Sequence, residues 1–158
     1  SVDGVLPMTD VCGNAVITAL RTFPWGVQKM SKDMEGLVQT SLNPGILETK
    51  ADTVSLVFSV RSSVASEKEE LYDRLVCLTE SLGGKVSRSG DYPAWEYVED
   101  SKLRILMGDT YREMYKKEPV MEVIHAGVEC GLFSEKMPGL DCVSYGPDIF
   151  DIHTPQEA

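Results

Sequence analysis

The clearest pattern in the chain is a strict alternation from Thr53 to Arg61. Val54, Leu56, Phe58 and Val60 fall on one face of an extended strand, and Ser55, Val57, Ser59 and Arg61 on the other. One face is therefore expected to be buried and the other open, with Arg61 at a strand end on the open side. Val27 to Met30, Gly36 to Leu42 and Ile46 to Thr49 read as further strands, with Ser41 to Gly45 (SLNPG) as the turn between the last two. Helical periodicity appears first at Val16, Ala19, Leu20 and Phe23, behind Asp10 or Asn14 as a cap. It returns from Ala65 to Leu82, where Ser66 and Glu69 have capping-box spacing, Leu71, Leu75, Leu78 and Leu82 form the stripe, and Gly83-Gly84 ends it. Lys85 to Ser89 reads as one more strand. This order predicts an α+β domain, an antiparallel sheet with two helices on one face.

A break follows at Gly90-Asp91-Tyr92-Pro93 and the acidic run Glu96 to Asp100. Beyond it, Ser101 caps a helix with the stripe Leu103, Leu106, Met107, Tyr111, Met114 and Tyr115. Pro119 to Ile124 reads as a strand, Gly127 to Phe133 as a short helix and Asp141 to Tyr145 as a second strand, a parallel α/β arrangement. The expected bodies are thus 1–97, α+β, and 98–158, a partial α/β segment. The opening SVDGVLPMTD is unlike a natural start, and both ends suggest a piece of something longer.

Composition narrows the partners. The formal charge of −10 argues against nucleic acid and anionic membrane, which would be repelled. No apolar run approaches a membrane span, and the start lacks a basic-then-apolar signal pattern. The four cysteines, Cys12, Cys77, Cys130 and Cys142, include no CxxC and read as buried free thiols of a reducing cytoplasm.

Candidate chemistry gathers in Val123 to Glu157, which holds both histidines. His125, beside an apolar run, reads alone as a hydrogen-bonded structural residue. His153 stands in a Pro/Asp-rich loop, where ligands are often placed. No HExxH, HxD or CxxC pair is present, so the chain offers at most one ligand to a metal site rather than a complete one. Arg61 reads either as a solvated strand end or as a guanidinium fork awaiting a carboxylate. Asn43 is a turn residue whose amide can also donate to a carbonyl. Glu129 reads as a surface acid, a partner of His125 or a grip on a substrate amine. Cys130 has nothing basic beside it except that histidine, which argues against a thiol nucleophile.

Taken together, GLVQTSLNPG, SVRSSVAS, GDYPAWEY, HAGVECGLF and GLDCVSYGPDIFDIHTPQE resemble the Xaa-His (aminoacyl-histidine) dipeptidase family, one branch of the co-catalytic di-zinc exopeptidases, from about Phe23 to Glu157. The resemblance implies a lid domain of ferredoxin-like character up to about Tyr97 and, from about Ser101, the returning C-terminal segment of a zinc-binding catalytic domain. It implies a cytoplasmic homodimer that hydrolyses dipeptides such as carnosine with zinc-activated water, using two zincs. His153 in DIHTPQE resembles a zinc ligand, in a motif more usually HSPDE. Arg61 resembles the lid arginine that holds the substrate's terminal carboxylate, and Asn43 the lid asparagine that helps bind substrate, although Pro44 departs from the usual small apolar residue. His125 and Glu129, in HAGVECG, resemble residues lining the substrate side. The family's other zinc ligands and its general base have no match here, so the chain alone is expected to be inactive and to hold no tight zinc. Two other readings stay open: a non-catalytic self-association module related to the lid, and a related exopeptidase with another substrate.

Overall fold

The computed structural model describes residues 7–123, 128–146, 149–151 and 154–157. Its elements are α1 (Asp10–Thr22), β1 (Gly26–Met30), β2 (Val38–Thr49), β3 (Val54–Ser62), α2 (Ala65–Ser81), α3 (Lys102–Tyr115) and α4 (Glu129–Lys136). The chain divides into two compact units, Ser1–Tyr97 with Glu122–Val128, and Val98–Met121 with Glu129–Ala158.

The first unit is α+β, built on a three-stranded antiparallel sheet in the order β1-β2-β3. The alternation of β3 sets its two faces. Val54, Leu56, Phe58 and Val60 are half-buried, while Val57, Ser59 and Arg61 are exposed. On α2, Leu71 and Leu75 stand one turn apart and meet the sheet at Leu42; these are the buried apolar side chains among the described residues, at 5%, 6% and 1% exposure. Phe23, Phe58 and Val60 pack around them, with the two rings 5.5 Å apart and tilted by 60°.

A polar seam fixes how α2 sits. Thr40 and Ser62, directly opposite across the strands, are both buried, with hydroxyl oxygens 2.8 Å apart. Thr40 donates to Glu67 in the first turn of α2, and the Ser62 hydroxyl donates to Val64 O at 3.0 Å. Gln39 (2.9 Å) and Lys29 (3.2 Å) also donate to that carboxylate. Burial pushes the Glu67 carboxyl up, but the hydrogen bonds from Gln39, Thr40 and Lys29 outweigh it and leave it below its ordinary range.

Several local expectations are corrected. SLNPG is not a turn: β2 runs unbroken through it, with a bulge between Pro44 and Ile46 that absorbs Gly45. Pro44 lies past the last β1 pairing, Gly26 with Leu42, and beside the bulge, where a missing N–H is tolerated. Thr9, not Asp10 or Asn14, caps α1 by accepting from Cys12 N at 3.3 Å. That helix has no fully buried residue, and its C-cap Phe23 packs against the core cluster. The Ser66–Glu69 box does not form. Ser62 Oγ accepts from Val64 N at 3.0 Å and Glu96 accepts from Ala65 N at 3.3 Å, so the end of β3 and a distant carboxylate serve the start of α2. Its C-terminus ends as expected: Gly83 N donates to Glu80 O, Gly84 N to Thr79 O, and Gly83 takes φ +77°.

Lys85 to Ser89 forms no ladder. It is tied to α2 by side chains instead, Arg88 pairing with both oxygens of Glu69 at 2.8 Å and with Asp91 at 2.6 Å while lying 4.9 Å from the Tyr72 ring centre.

In the second unit the expected parallel strands are likewise absent among the described residues: 119–123 and 141–146 run without ladder partners. An apolar run becomes a strand only where a neighbouring strand accepts its backbone bonds. Helix α3 is capped twice. Ser101 Oγ accepts from Arg104 N at 3.0 Å, and Asp141 accepts from Ser101 Oγ at 2.6 Å and from Leu103 N at 2.8 Å. Those donors, first the Leu103 N–H and then the Ser101 hydroxyl, hold the Asp141 carboxyl below its ordinary range. Because the folded value is depressed, its stabilising effect is complete above the unfolded value of about 3.9 and fades as pH falls below it. Asp141→Asn is therefore expected to melt lower than the parent at pH 7, with the gap closing as pH is lowered through 4; thermal melts by circular dichroism check this.

Candidate functional site

Arg61 and Asn43 are placed by the β2–β3 ladder. Ser41 pairs with Arg61 and Asn43 with Ser59. Paired residues and their i+2 neighbours share a face, so these four stand together on the side opposite Leu42 and Val60. Arg61 and Asn43 are diagonal neighbours, a spacing of roughly 7–8 Å between backbones, which one small polar group can bridge with side chains of their length. Asn43, Ser59 and Arg61 are exposed, and among the described residues Arg61 makes no ion pair. A guanidinium without a carboxylate, beside an amide on an open sheet face, is a ready receptor for a carboxylate. Val27, opposite Ser41 on β1, and the facing pair Ile46 and Val57 are more than half exposed and border the polar group with apolar surface.

Glu129 opens α4 in the second unit and is exposed. His125 and His153 lie outside the described residues. The sheet thus brings Asn43 and Arg61 together, with Ser41 and Ser59 between them. Those two serines were not singled out from sequence; alternation marked Ser59, but reading SLNPG as a turn hid the register that pairs it with Asn43.

A cavity of about 120 Å³ in the first unit, lined by residues including Ser31, Gln39, Ser63, Glu96 and Tyr97, is too small for a dipeptide. Among the described residues no group of three or more His, Cys, Asp or Glu side chains could hold a metal ion. No helix there is long and apolar enough to cross a membrane. Cys12 and Cys77 are exposed rather than buried, since each falls on the solvent side of its helix; Cys130 and Cys142 are half-buried.

No protein-family model matches the chain. It is 36% identical over 141 residues to the cytosol non-specific dipeptidase of Escherichia coli (strain K12), an alignment covering 89% of this chain and 29% of that protein. Among solved structures it matches the aminoacylhistidine dipeptidase from Vibrio alginolyticus with a TM-score of 0.82 and 36% identity, over 97% of this chain and 32% of that one. The chain spans about a third of the length of these relatives. Sequence and fold agree in what they single out: over nearly all of its own length, the chain is a homologue of the cytosol non-specific dipeptidase and a structural match to the aminoacylhistidine dipeptidase.

Proposed function

We propose that this chain supplies the carboxylate-holding part of a dipeptidase, with Xaa-His dipeptides as substrates. The observation that carries the reading is Arg61, without an ion pair among the described residues, diagonal to Asn43 on an exposed sheet face. Arg61 would take both oxygens of the substrate's terminal carboxylate, and Asn43 would donate to a carbonyl oxygen of the same substrate. His125 and Glu129 would line the substrate side of the catalytic domain. Zinc, two ions per site in a full-length enzyme, would supply the acidified water. His153 would contribute one ligand, the others coming from outside the described residues. Alone, the chain would be inactive and hold no tight zinc; the full-length enzyme would be a cytoplasmic homodimer.

A broader substrate range is the second reading, favoured by the name of the Escherichia coli relative, a non-specific dipeptidase. A carboxylate grip does not itself distinguish side chains, so it fits either reading. Titrating the ¹⁵N-labelled chain with N-acetyl-histidine should shift the amide signals of Asn43, Ser59 and Arg61, whereas N-acetyl-histidine amide should leave them in place. Equal shifts with acid and amide would remove the carboxylate reading. Repeating the titration with N-acetyl-alanine separates the narrow specificity from the broad one.

A further inference from the structure

We propose that Cys130 and Cys142 form a redox-active pair that closes reversibly into an intramolecular disulfide. Both residues belong to the second unit and both are half-buried.

The backbone brings them together. Helix α4 ends in a tight reversal: Met137 N donates to Phe133 O at 2.9 Å, Leu140 N to Met137 O at 3.0 Å, and Gly139 takes φ +85°, a conformation that favours glycine. The reversal sends the chain back along the helix. Past that turn the returning chain runs beside α4, whose first turn carries Cys130. Asp141, bonded to Ser101 Oγ at 2.6 Å and Leu103 N at 2.8 Å, pins the returning strand one residue before Cys142. There the Cys142 thiol lies against that of Cys130 and interacts with it directly. Cys12 and Cys77 are exposed and have no such arrangement around them.

A low-molecular-weight disulfide such as glutathione disulfide is the oxidant. One protein thiolate attacks a sulfur of that disulfide, forms a mixed disulfide and expels one glutathione thiolate. The second protein thiolate then attacks the protein sulfur of the mixed disulfide, forms the Cys130–Cys142 bond and expels the second glutathione. The pair gives up two electrons and two protons, and the oxidant leaves as two glutathione thiols. Burial, then the neighbouring Cys142 and the Glu129 carboxylate, pushes the Cys130 thiol up, so closure speeds up as pH rises through the alkaline range. Closure would lock the first turn of α4, which carries Glu129.

The test uses the full chain with the exposed Cys12→Ser and Cys77→Ser replacements, equilibrated with mixtures of glutathione and glutathione disulfide. The free-thiol titre in denaturant should fall from two to none. The intact mass should drop by two hydrogens rather than rise by bound glutathione. Trypsin cuts after Lys136, between the two cysteines, so a closed pair leaves two peptides joined through sulfur. With Cys142→Ser added, Cys130 should stop at the glutathione adduct. Two unreacted thiols, or two glutathione adducts without the joined peptides, would overturn the proposal, and the parent background alone decides it even if the added serine disturbs folding.

Discussion

Arg61→Ala, made in a full-length enzyme carrying this chain, is expected to raise KM for a dipeptide by roughly 10- to 100-fold while changing kcat little. A hydrogen-bonded contact to a charged group contributes about 1.5–3 kcal/mol, which converts to that range of affinity. Because the carboxylate itself is unchanged while the peptide bond is cleaved, its grip is expected to act alike on ground state and transition state, and its loss to fall on KM. Arg61→Lys keeps the charge but not the planar fork, and should recover only part of the loss. Asn43→Ala removes a neutral donor and should cost less. The decisive comparison is steady-state kinetics on alanyl-histidine against alanyl-histidine amide. The variant should be handicapped only on the acid, and an equal handicap on both would mean that Arg61 supports the fold rather than the carboxylate. His153→Ala should behave differently, removing kcat through loss of metal.

Leu42→Ala should lower the stability of the first unit by about 2–5 kcal/mol. The side chain is 1% exposed and belongs to a cluster whose other buried members are Leu71 and Leu75. Domains of this size hold about 5–15 kcal/mol in total, so the loss is a large share of what is present. Leu42→Met, which preserves volume, should cost less than about 1.5 kcal/mol. Ile46→Ala, on the same strand but 60% exposed, should stay within about 0.5 kcal/mol. Urea denaturation followed by circular dichroism ranks the three, and an Ile46 effect as large as that of Leu42 would relocate the core.

Sequence disclosed whatever was local and periodic. The faces of β3, the stripe of α2, the glycine stop after it and the Ser101 cap all follow from spacing within one element. What it concealed depends on partners far along the chain. Glu96 serves the start of α2 and Asp141 the start of α3 across 31 and 38 residues, distances at which no capping box can be read. Lys85 to Ser89 has the look of a strand, yet its place is set by Arg88 and its two carboxylates. SLNPG misled because proline and asparagine usually punctuate turns, and only the end of the β1 pairing explains their presence inside a strand. For the site, the open-face position of Arg61 was legible from alternation alone, whereas its juxtaposition with Asn43 required the register. The family resemblance came from combined motifs rather than from any single residue, and the two comparisons carry it.

The extra residue at Gly45 has a bearing on how relatives should be aligned. Asn43 and Ile46 look out on the same side of the ribbon although three positions separate them, because one residue is looped out of the ladder between them. Omitting that residue would restore a regular two-residue rhythm without turning any side chain over. A homologue with a single-position gap there would thus keep the same outward residues on both sides of it, while its hairpin arm would project along a straighter course.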